Sequence, residues 1–168
     1  MGLFGPSKIR ITSKEFVKAQ LDYLFSAEFT GQQRGQFRDL SSATRLLQRV
    51  QPETFVREKQ NAVLNLLRIA FDRNIPYAVF IGSSSLMHDD PRIKDVDSGV
   101  YHCTLSRAQE AGMDTFGYIA MVFLTQVLPQ GTDTSHPEFA KLFEVFGREF
   151  TGLYVTFEAL VKRHKFIS

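Results

Sequence analysis

One segment of the sequence brings together histidine and aspartate side chains that could hold a metal ion. His88, Asp89, Asp90, Asp97 and His102 lie close together along the chain. Imidazole nitrogens and carboxylate oxygens are common ligands of divalent ions such as zinc, iron and manganese. Their spacing is typical of no particular metal site, and aspartates also form turns and N-caps in loops between helices. The segment therefore predicts either a divalent metal site or a polar connecting loop.

Other motif-like segments lack residues that their chemistry requires. Residues 95–99 begin like a calcium loop, but the glycine comes one residue early and Ser106 stands where a bidentate glutamate is needed. Residues 82–85 follow an apolar run, yet the lysine and second glycine of a phosphate-binding loop are absent. Cys103 and His102 are adjacent and therefore point apart, which disfavours a nucleophile pair. We name no catalytic residue, expect no cofactor other than a divalent metal at the first segment, and favour a protein that is not an enzyme.

Four arginines could form one basic helical face. Arg34, Arg38, Arg45 and Arg49 would lie within about 60° of one another if a single helix continued through Gly35. Such a face is usually solvated, although it can also bind an acidic protein or a phosphate-bearing ligand. We take Arg38, Arg45 and Arg49 as candidate partner-binding residues, with a solvated surface as the alternative.

The charge of the chain is small overall but unevenly distributed. The 168 residues carry a net charge of +2, so we do not expect nucleic acid as a partner. Residues 1–73 hold 12 Lys and Arg against 7 Asp and Glu, whereas residues 74–168 hold 8 against 11. Net charges of +5 and −3 attract each other, within one chain or between two copies. This asymmetry favours a homodimer.

Several features favour a cytoplasmic location. Residues 1–8 lack the basic and apolar regions of a signal peptide, and Pro6 stands where myristoylation requires Ser or Thr. The longest nearly uncharged stretch, residues 115–132, has an apolar part shorter than the roughly 20 residues that a membrane span needs. Cys103 is the one cysteine and permits no disulfide within the chain. We therefore expect a cytoplasmic protein without a membrane span.

Helical periodicity and capping residues divide the chain into about six helices. Capping-box spacing starts the first helix, a proline in the first turn starts the third, and another proline starts the last. The predicted helices cover 13–29, about 40–50, 52–73, 76–87, 104–128 and the chain from His136 onwards. Residues 77–81 also have the composition of a strand, but with no second strong strand to pair with we prefer a helix there.

Phenylalanine dominates the apolar positions, with 16 Phe and no Trp in the chain. The last helix carries apolar residues at alternating spacings of four and three, which is a heptad seam ending at His164. Phenyl rings are bulkier than the side chains of a two-stranded coiled coil, so we prefer a bundle core. We expect an all-α, single-domain bundle of about six helices with the last two long and antiparallel, and residues 1–10 as a flexible arm.

Two hypotheses of function follow from the sequence. The first is a non-enzymatic, self-associating interaction or adaptor module, which the charge asymmetry and the phenylalanine seam favour. The alternative is a helical bundle that binds a small ligand or a metal, with or without an enzymatic activity. Its site would lie near the 88–102 loop or in a pocket between the last two helices.

Overall fold

The computed structural model describes residues 8–76, 87, 89–94, 100–101 and 104–167. Within these residues the chain forms seven α-helices, one 3-10 turn and a two-stranded parallel sheet. In chain order the elements are β1 (Ile9–Thr12), α1 (Ser13–Leu24), α2 (Ala27–Ala43), the 3-10 turn (Arg45–Leu47), α3 (Pro52–Asn74), α4 (Pro91–Lys94), α5 (Thr104–Glu110), α6 (Thr115–Val127), α7 (Pro137–Arg163) and β2 (His164–Ile167). The all-α bundle is confirmed, and the helix predicted over 76–87 falls almost wholly outside the described residues.

The helix predicted over 13–29 is two helices in the structure. α1 begins with the predicted capping box, in which the Glu15 N–H donates to Thr12 Oγ1 at 3.1 Å and the Thr12 N–H donates to Glu15 Oε2 at 3.0 Å. Ser26 then caps a new helix by accepting a hydrogen bond from the Phe29 N–H at 3.0 Å. A serine in the extended conformation at this position ends one helix and starts another.

The second helix, predicted over about 40–50, is wrong in position, because α2 begins at Ala27 and ends at Ala43 and is followed by the 3-10 turn. α2 runs through both Gly31 and Gly35, which have open space around their Cα atoms. A glycine inside a helix costs about 1 kcal/mol relative to alanine. Phe29 and Phe37 are buried and anchor α2 on the core, so side-chain burial offsets the cost of the two glycines.

The third and last predicted helices are confirmed almost to the residue. α3 has Pro52 in its first turn and ends at Asn74, just before a second proline. α7 has Pro137 in its first turn, and His136 Nδ1 caps it by accepting from the Glu138 N–H at 3.1 Å. Proline in the first turn is a local signal, because the missing N–H has no partner there in any case. The starts of α3 and α7 can therefore be predicted from the local sequence.

The helix predicted over 104–128 is wrong in extent, because a turn divides it into α5 and α6. Gly112 adopts a φ of 64°, a left-handed conformation that glycine tolerates without strain. Asp114 Oδ1 then accepts hydrogen bonds from the N–H groups of Phe116 at 3.0 Å and Gly117 at 2.9 Å. The glycine ends the first helix and the aspartate starts the second.

α6 and α7 run antiparallel, as predicted. Phe116 near the start of α6 lies 4.8 Å from Tyr154 in the second half of α7, measured between ring centroids. Phe123, later in α6, lies 4.7 Å from Phe146 in the first half of α7. None of the described helices, α6 included, is long and apolar enough to cross a membrane.

The heptad seam of α7 faces the core of the bundle. Phe139, Phe146 and Phe150 are buried. The other apolar seam positions are partly buried against the same core: Phe143, Leu153, Phe157 and Leu160. The phenylalanines thus fill a bundle interior, in agreement with the sequence-based preference.

α3 occupies the centre of the bundle and runs parallel to α7. The rings of Phe55 and Phe146 lie 6.0 Å apart, and Lys59 contacts Glu149, so residue numbers rise together along the two helices. α1, α2, α6 and α7 all pack against α3. Ten consecutive residues of α3, 58–67, are buried, which means that the helix is enclosed on every side over this length.

A small parallel sheet, which the sequence did not predict, joins β1 to β2. Ile9 pairs with His164 at the start of both strands. The ring of Phe16, from the first turns of α1, lies 5.0 Å from the His164 ring and covers one side of the pairing. The last two residues of the predicted arm over 1–10 are therefore in a strand, and residues 1–7 lie outside the described part of the chain.

Replacing Asp114 with alanine should lower the free energy of unfolding by about 1 kcal/mol, because two N–H groups at the start of α6 lose their acceptor. Asp39 is an exposed aspartate in α2 and provides the matched control. Asp39→Ala should change the free energy of unfolding by less than about 0.5 kcal/mol. Urea unfolding followed by circular dichroism measures both, and equal losses would show that the Asp114 cap does not set the boundary.

Candidate functional site

A cavity of about 490 Å³ lies between α1, α2, α3 and α7. Its lining residues are Gln20, Tyr23, Leu24, Phe29, Gln32, Gln33, Lys59, Val63, Leu67, Glu149, Leu153, Thr156, Phe157 and Leu160. Most of this surface is apolar, with a small number of polar groups. A cavity of this size and composition is typical of sites that bind small molecules.

Lys59 is the unusual member of the lining, because its side chain is fully buried, with 0% exposure. It belongs to a row of α3 residues spaced by four, together with Phe55, Val63 and Leu67. Residues at this spacing lie on one face of a helix, so the lysine interrupts an otherwise apolar row. A buried ammonium is costly unless other groups meet its charge.

Four phenyl rings surround the Lys59 ammonium. Their centroids lie 5.9 Å (Phe55), 5.4 Å (Phe123), 4.5 Å (Phe146) and 4.9 Å (Phe150) from Nζ. A cation within about 6 Å of an aromatic ring face is attracted to it, more strongly where water is excluded. The rings come from α3, α6 and α7, so three helices together form the surroundings of one charge.

Two polar side chains complete the surroundings of Lys59. Nζ lies 2.7 Å from Glu149 Oε2 on α7 and donates to Gln36 Oε1 on α2 at 3.3 Å. Gln36 Nε2 donates in turn to the same Glu149 oxygen at 2.8 Å. The three side chains form a closed triangle that links three helices. The Glu149 side chain is 26% exposed, so the carboxylate side of the pair is accessible and the ammonium side is not.

Burial lowers the pKa of Lys59 from its ordinary value of 10.5 to about 8, and the attraction and hydrogen bond of Glu149 oppose this shift. Removal of water is the larger effect, because it penalises the charged form. Lys59 is therefore protonated at neutral pH but close to releasing its proton. An amine in this condition responds readily to a change in the charge beside it.

Glutamine side chains on α2 add hydrogen-bonding groups to the cavity wall. Tyr23 Oη donates to Gln32 Oε1 at 3.2 Å. Gln33 Oε1 is buried and receives no hydrogen bond from the described residues. A buried carbonyl oxygen without a donor costs roughly 1–3 kcal/mol.

A second polar cluster lies where α5 meets α3. Asn65 Nδ2 donates to Thr104 Oγ1 at 3.0 Å, and Thr104 Oγ1 donates to the Tyr101 carbonyl oxygen. Burial, with the nearby charge of Glu58 as a smaller cause, raises the pKa of Tyr101 well above 10. These contacts tie α5 to the central helix, and we assign the cluster a structural role.

The structure places two of the five predicted metal ligands. The other three lie outside the described residues: His88, Asp97 and His102. Asp89 is exposed. Asp90 Oδ1 accepts from the backbone N–H and from Nε of Arg92, both at 2.9 Å, and the hydrogen bond from the guanidinium lowers the pKa of Asp90. Among the described residues no three potential ligands come together, and the metal site stays a prediction.

The candidate partner-binding arginines do not share one helix. Arg38 lies on α2, which ends before the 3-10 turn that holds Arg45, and Arg49 follows that turn. All three are exposed. Arg34, which would belong to the same basic face, lies 3.5 Å from Glu53 at the start of α3. A role of these arginines in binding a partner stays a prediction.

The sequence analysis missed the cavity, although the sequence carries a signal for it. Lys59 falls at an apolar position of α3, four residues from Phe55 and from Val63. Glu149 lies three residues after Phe146, close to the heptad seam but outside it. Lys59 is therefore the signal, because a charged residue is almost never fully buried unless it is paired. This cavity lies beside α3. A second pocket, of about 330 Å³, lies between the last two helices, where the sequence analysis placed one, and Gly117 and Phe143 are in its lining.

In comparisons with known proteins, no family model, no curated protein and no solved structure matches this chain. Function must therefore be inferred from the chemistry of the cavity and its surroundings.

The stability of the protein should depend on pH through Lys59. Between pH 8 and about 10.5 the unfolded chain holds a proton on this lysine that the folded protein has released, so stability rises with pH in this range. Relative to Lys59→Met, the wild type should gain roughly 2 kcal/mol between pH 8 and pH 10, at about 1.4 kcal/mol per pKa unit.

Urea unfolding of both proteins at several pH values measures this difference. Lys18→Met removes a lysine whose side chain is 71% exposed, and it is the matched control. A constant difference between wild type and Lys59→Met from pH 8 to pH 10 would contradict the effect of burial on Lys59.

Proposed function

We propose that this protein binds a small, mainly apolar molecule in the cavity between α1, α2, α3 and α7. The observation that carries the proposal is the combination of an apolar cavity of about 490 Å³ with a buried lysine–glutamate pair in its wall. Ligand sites typically combine an apolar surface with a few fixed polar groups that orient the ligand.

The shape of the cavity supports an elongated ligand. Its wall on α7 extends from Glu149 to Leu160, roughly 16 Å at the helical rise of 1.5 Å per residue. Leu153 and Phe157 lie between these ends on the same helix, and Val63 lies on α3. A chain-like apolar body would contact these side chains, while its polar end would lie near Glu149.

The buried pair supports ligand binding more strongly than it supports a structural role. A buried salt bridge adds little to stability compared with apolar side chains of similar volume, because both charges lose their water. Lys59, Gln36 and Glu149 together link α2, α3 and α7, which apolar side chains could also do. We therefore assign the pair to recognition of the polar end of a ligand.

The surroundings of Lys59 favour binding over catalysis. Nζ is enclosed by four phenyl rings and held by Glu149 and Gln36. A general base or a nucleophile must reach the reacting atom within hydrogen-bonding distance, and a side chain with 0% exposure does not. The cavity thus acts as a receptor for a molecule rather than as a reaction centre.

Filling the cavity should abolish binding. Leu153→Trp places a large ring into the lining, and it should weaken binding of decanol at least tenfold. Val155→Trp is the matched control, because Val155 lies on the same helix with 56% exposure outside the cavity. Isothermal titration calorimetry measures the affinities, and circular dichroism verifies that both variants fold. Equal decanol affinity in wild type and Leu153→Trp would overturn the proposal.

Self-association is a second proposal, and the exposed edges of the β1–β2 sheet favour it. Within the described residues no further strand pairs with either one. Ile9 and Ile167 are 54% and 43% exposed. A two-stranded sheet is only marginally stable alone, and unpaired edges readily pair with a strand of another chain. The opposite charges of the two halves of the chain would assist such pairing.

Native mass spectrometry tests this second proposal, since a dimer has twice the 19.1 kDa mass of the chain. Ile9→Lys should shift a dimer towards monomer, because a lysine at the edge of a sheet opposes pairing. Val145→Lys, at a 41% exposed position of α7, should leave the dimer intact. A purely monomeric wild type at high protein concentration would contradict self-association.

A further inference from the structure

We infer that the ligand is an amphipathic amine, a molecule with an elongated apolar body and one protonated nitrogen that donates a hydrogen bond to Glu149. This inference rests on the proposed function and specifies the chemical class of the ligand. It follows from two observations. Glu149 is the accessible member of the buried pair, and only one of its two carboxylate oxygens already accepts hydrogen bonds within the described part of the chain.

The two charges of the pair are not equally accessible. The Lys59 side chain has 0% exposure, whereas that of Glu149 has 26%. The phenyl rings of Phe146 and Phe150 lie 4.5 and 4.9 Å from Nζ and exclude other molecules from the ammonium. A molecule that enters the cavity therefore meets the carboxylate, which accepts hydrogen bonds and donates none when ionised.

The carboxylate of Glu149 has one oxygen free for such a molecule. Lys59 Nζ and Gln36 Nε2 both contact Oε2, at 2.7 and 2.8 Å. Oε1 receives no hydrogen bond from the described residues. An ammonium group has several N–H donors and can donate one of them to this oxygen.

The charge balance of the cavity also favours an amine over a carboxylate. Lys59 and Glu149 are the charged residues of its lining. A carboxylate ligand would place a second negative charge beside Glu149, with the balancing ammonium enclosed behind it. Like charges in such proximity repel, and the low polarity of the surroundings strengthens the repulsion.

A cationic ligand near Lys59 is accommodated because the lysine can release its proton. Burial lowers the pKa of Lys59 to about 8. Among the described residues, Glu149 is the one charged group that raises this pKa. When a second cation approaches Glu149, the neutral form of Lys59 is favoured further. The ligand ammonium then takes over as the partner of the carboxylate.

Three probes with the same chain and different end groups test the inference on the unaltered protein. Decylamine, decanol and decanoate are titrated by calorimetry at pH 8.5, below their micelle-forming concentrations. Decylamine should bind about tenfold more tightly than decanol, since a hydrogen bond between two charged groups is stronger than one from a neutral hydroxyl. Decanoate should bind most weakly.

Two variants test whether the preference for decylamine over decanol depends on the carboxylate of Glu149. Glu149→Gln should lose the preference for decylamine over decanol, and circular dichroism verifies that the variant folds. Glu144→Gln is the matched control, because Glu144 lies on α7 outside the cavity lining and pairs with Arg148. It should retain the full preference.

The affinities for the cationic and the anionic probe should change with pH in opposite directions. From pH 6.5 to pH 8.5 the affinity for decylamine should rise by roughly tenfold as Lys59 loses its proton, at up to tenfold per pH unit below the pKa. The affinity for decanoate should fall over the same range. The affinity for decanol should stay constant.

Three outcomes would overturn the inference while leaving the proposed function in place. They are decanoate binding at least as tightly as decylamine, decylamine binding no more tightly than decanol, and a decylamine affinity that does not rise with pH. Failure of all three probes to bind would overturn the proposed function itself. Because the comparison of probes uses the unaltered protein, it does not depend on the folding of any variant.

Discussion

The rest of the structure depends on one constraint, which is that α3 has no exposed face over residues 58–67. A helix enclosed in this way must have its polar side chains paired inside the protein. α1 supplies the Leu24 carbonyl oxygen to Gln60, α7 supplies Glu149 to Lys59, and α5 supplies Thr104 to Asn65. α1, α5 and α7 are therefore held to the centre by specific polar contacts as well as by apolar packing.

The same constraint accounts for the cavity. The charge of Lys59 must be met at a fixed place, and its partners reach it from α2 and from α7. Those two helices and α1 line the space beside α3 without filling it. Phe55, Phe123 and Phe146 close the end of this face beyond Lys59, because the rings fix one another edge to face or at a tilt. The face of α3 that holds Lys59 is thus packed with rings at Phe55 and open at Val63 and Leu67.

The sequence predicted those parts of the fold that depend on local signals. The boundaries of α3 and α7 follow from prolines in their first turns, which act within a few residues. The break at Ser26 and the turn at Gly112 were missed, because serine and glycine also occur inside helices and only long-range packing decides between the alternatives. The candidate site could be predicted only in part. Lys59 interrupts an apolar row of α3, but only long-range packing selects Glu149 on α7 as its partner.

The pairing of β1 with β2 has a consequence for how the chain reaches this structure. Ile9 and His164 lie at opposite ends of the described sequence, so their contact closes a loop that contains all the helices of the described residues. The entropy lost on closing a loop grows with its length. The pairing of two four-residue strands stabilises the closed loop only slightly. The pairing therefore has to form after the helices have packed and brought the strands together. It acts as a latch on an assembled bundle rather than as a nucleus for folding.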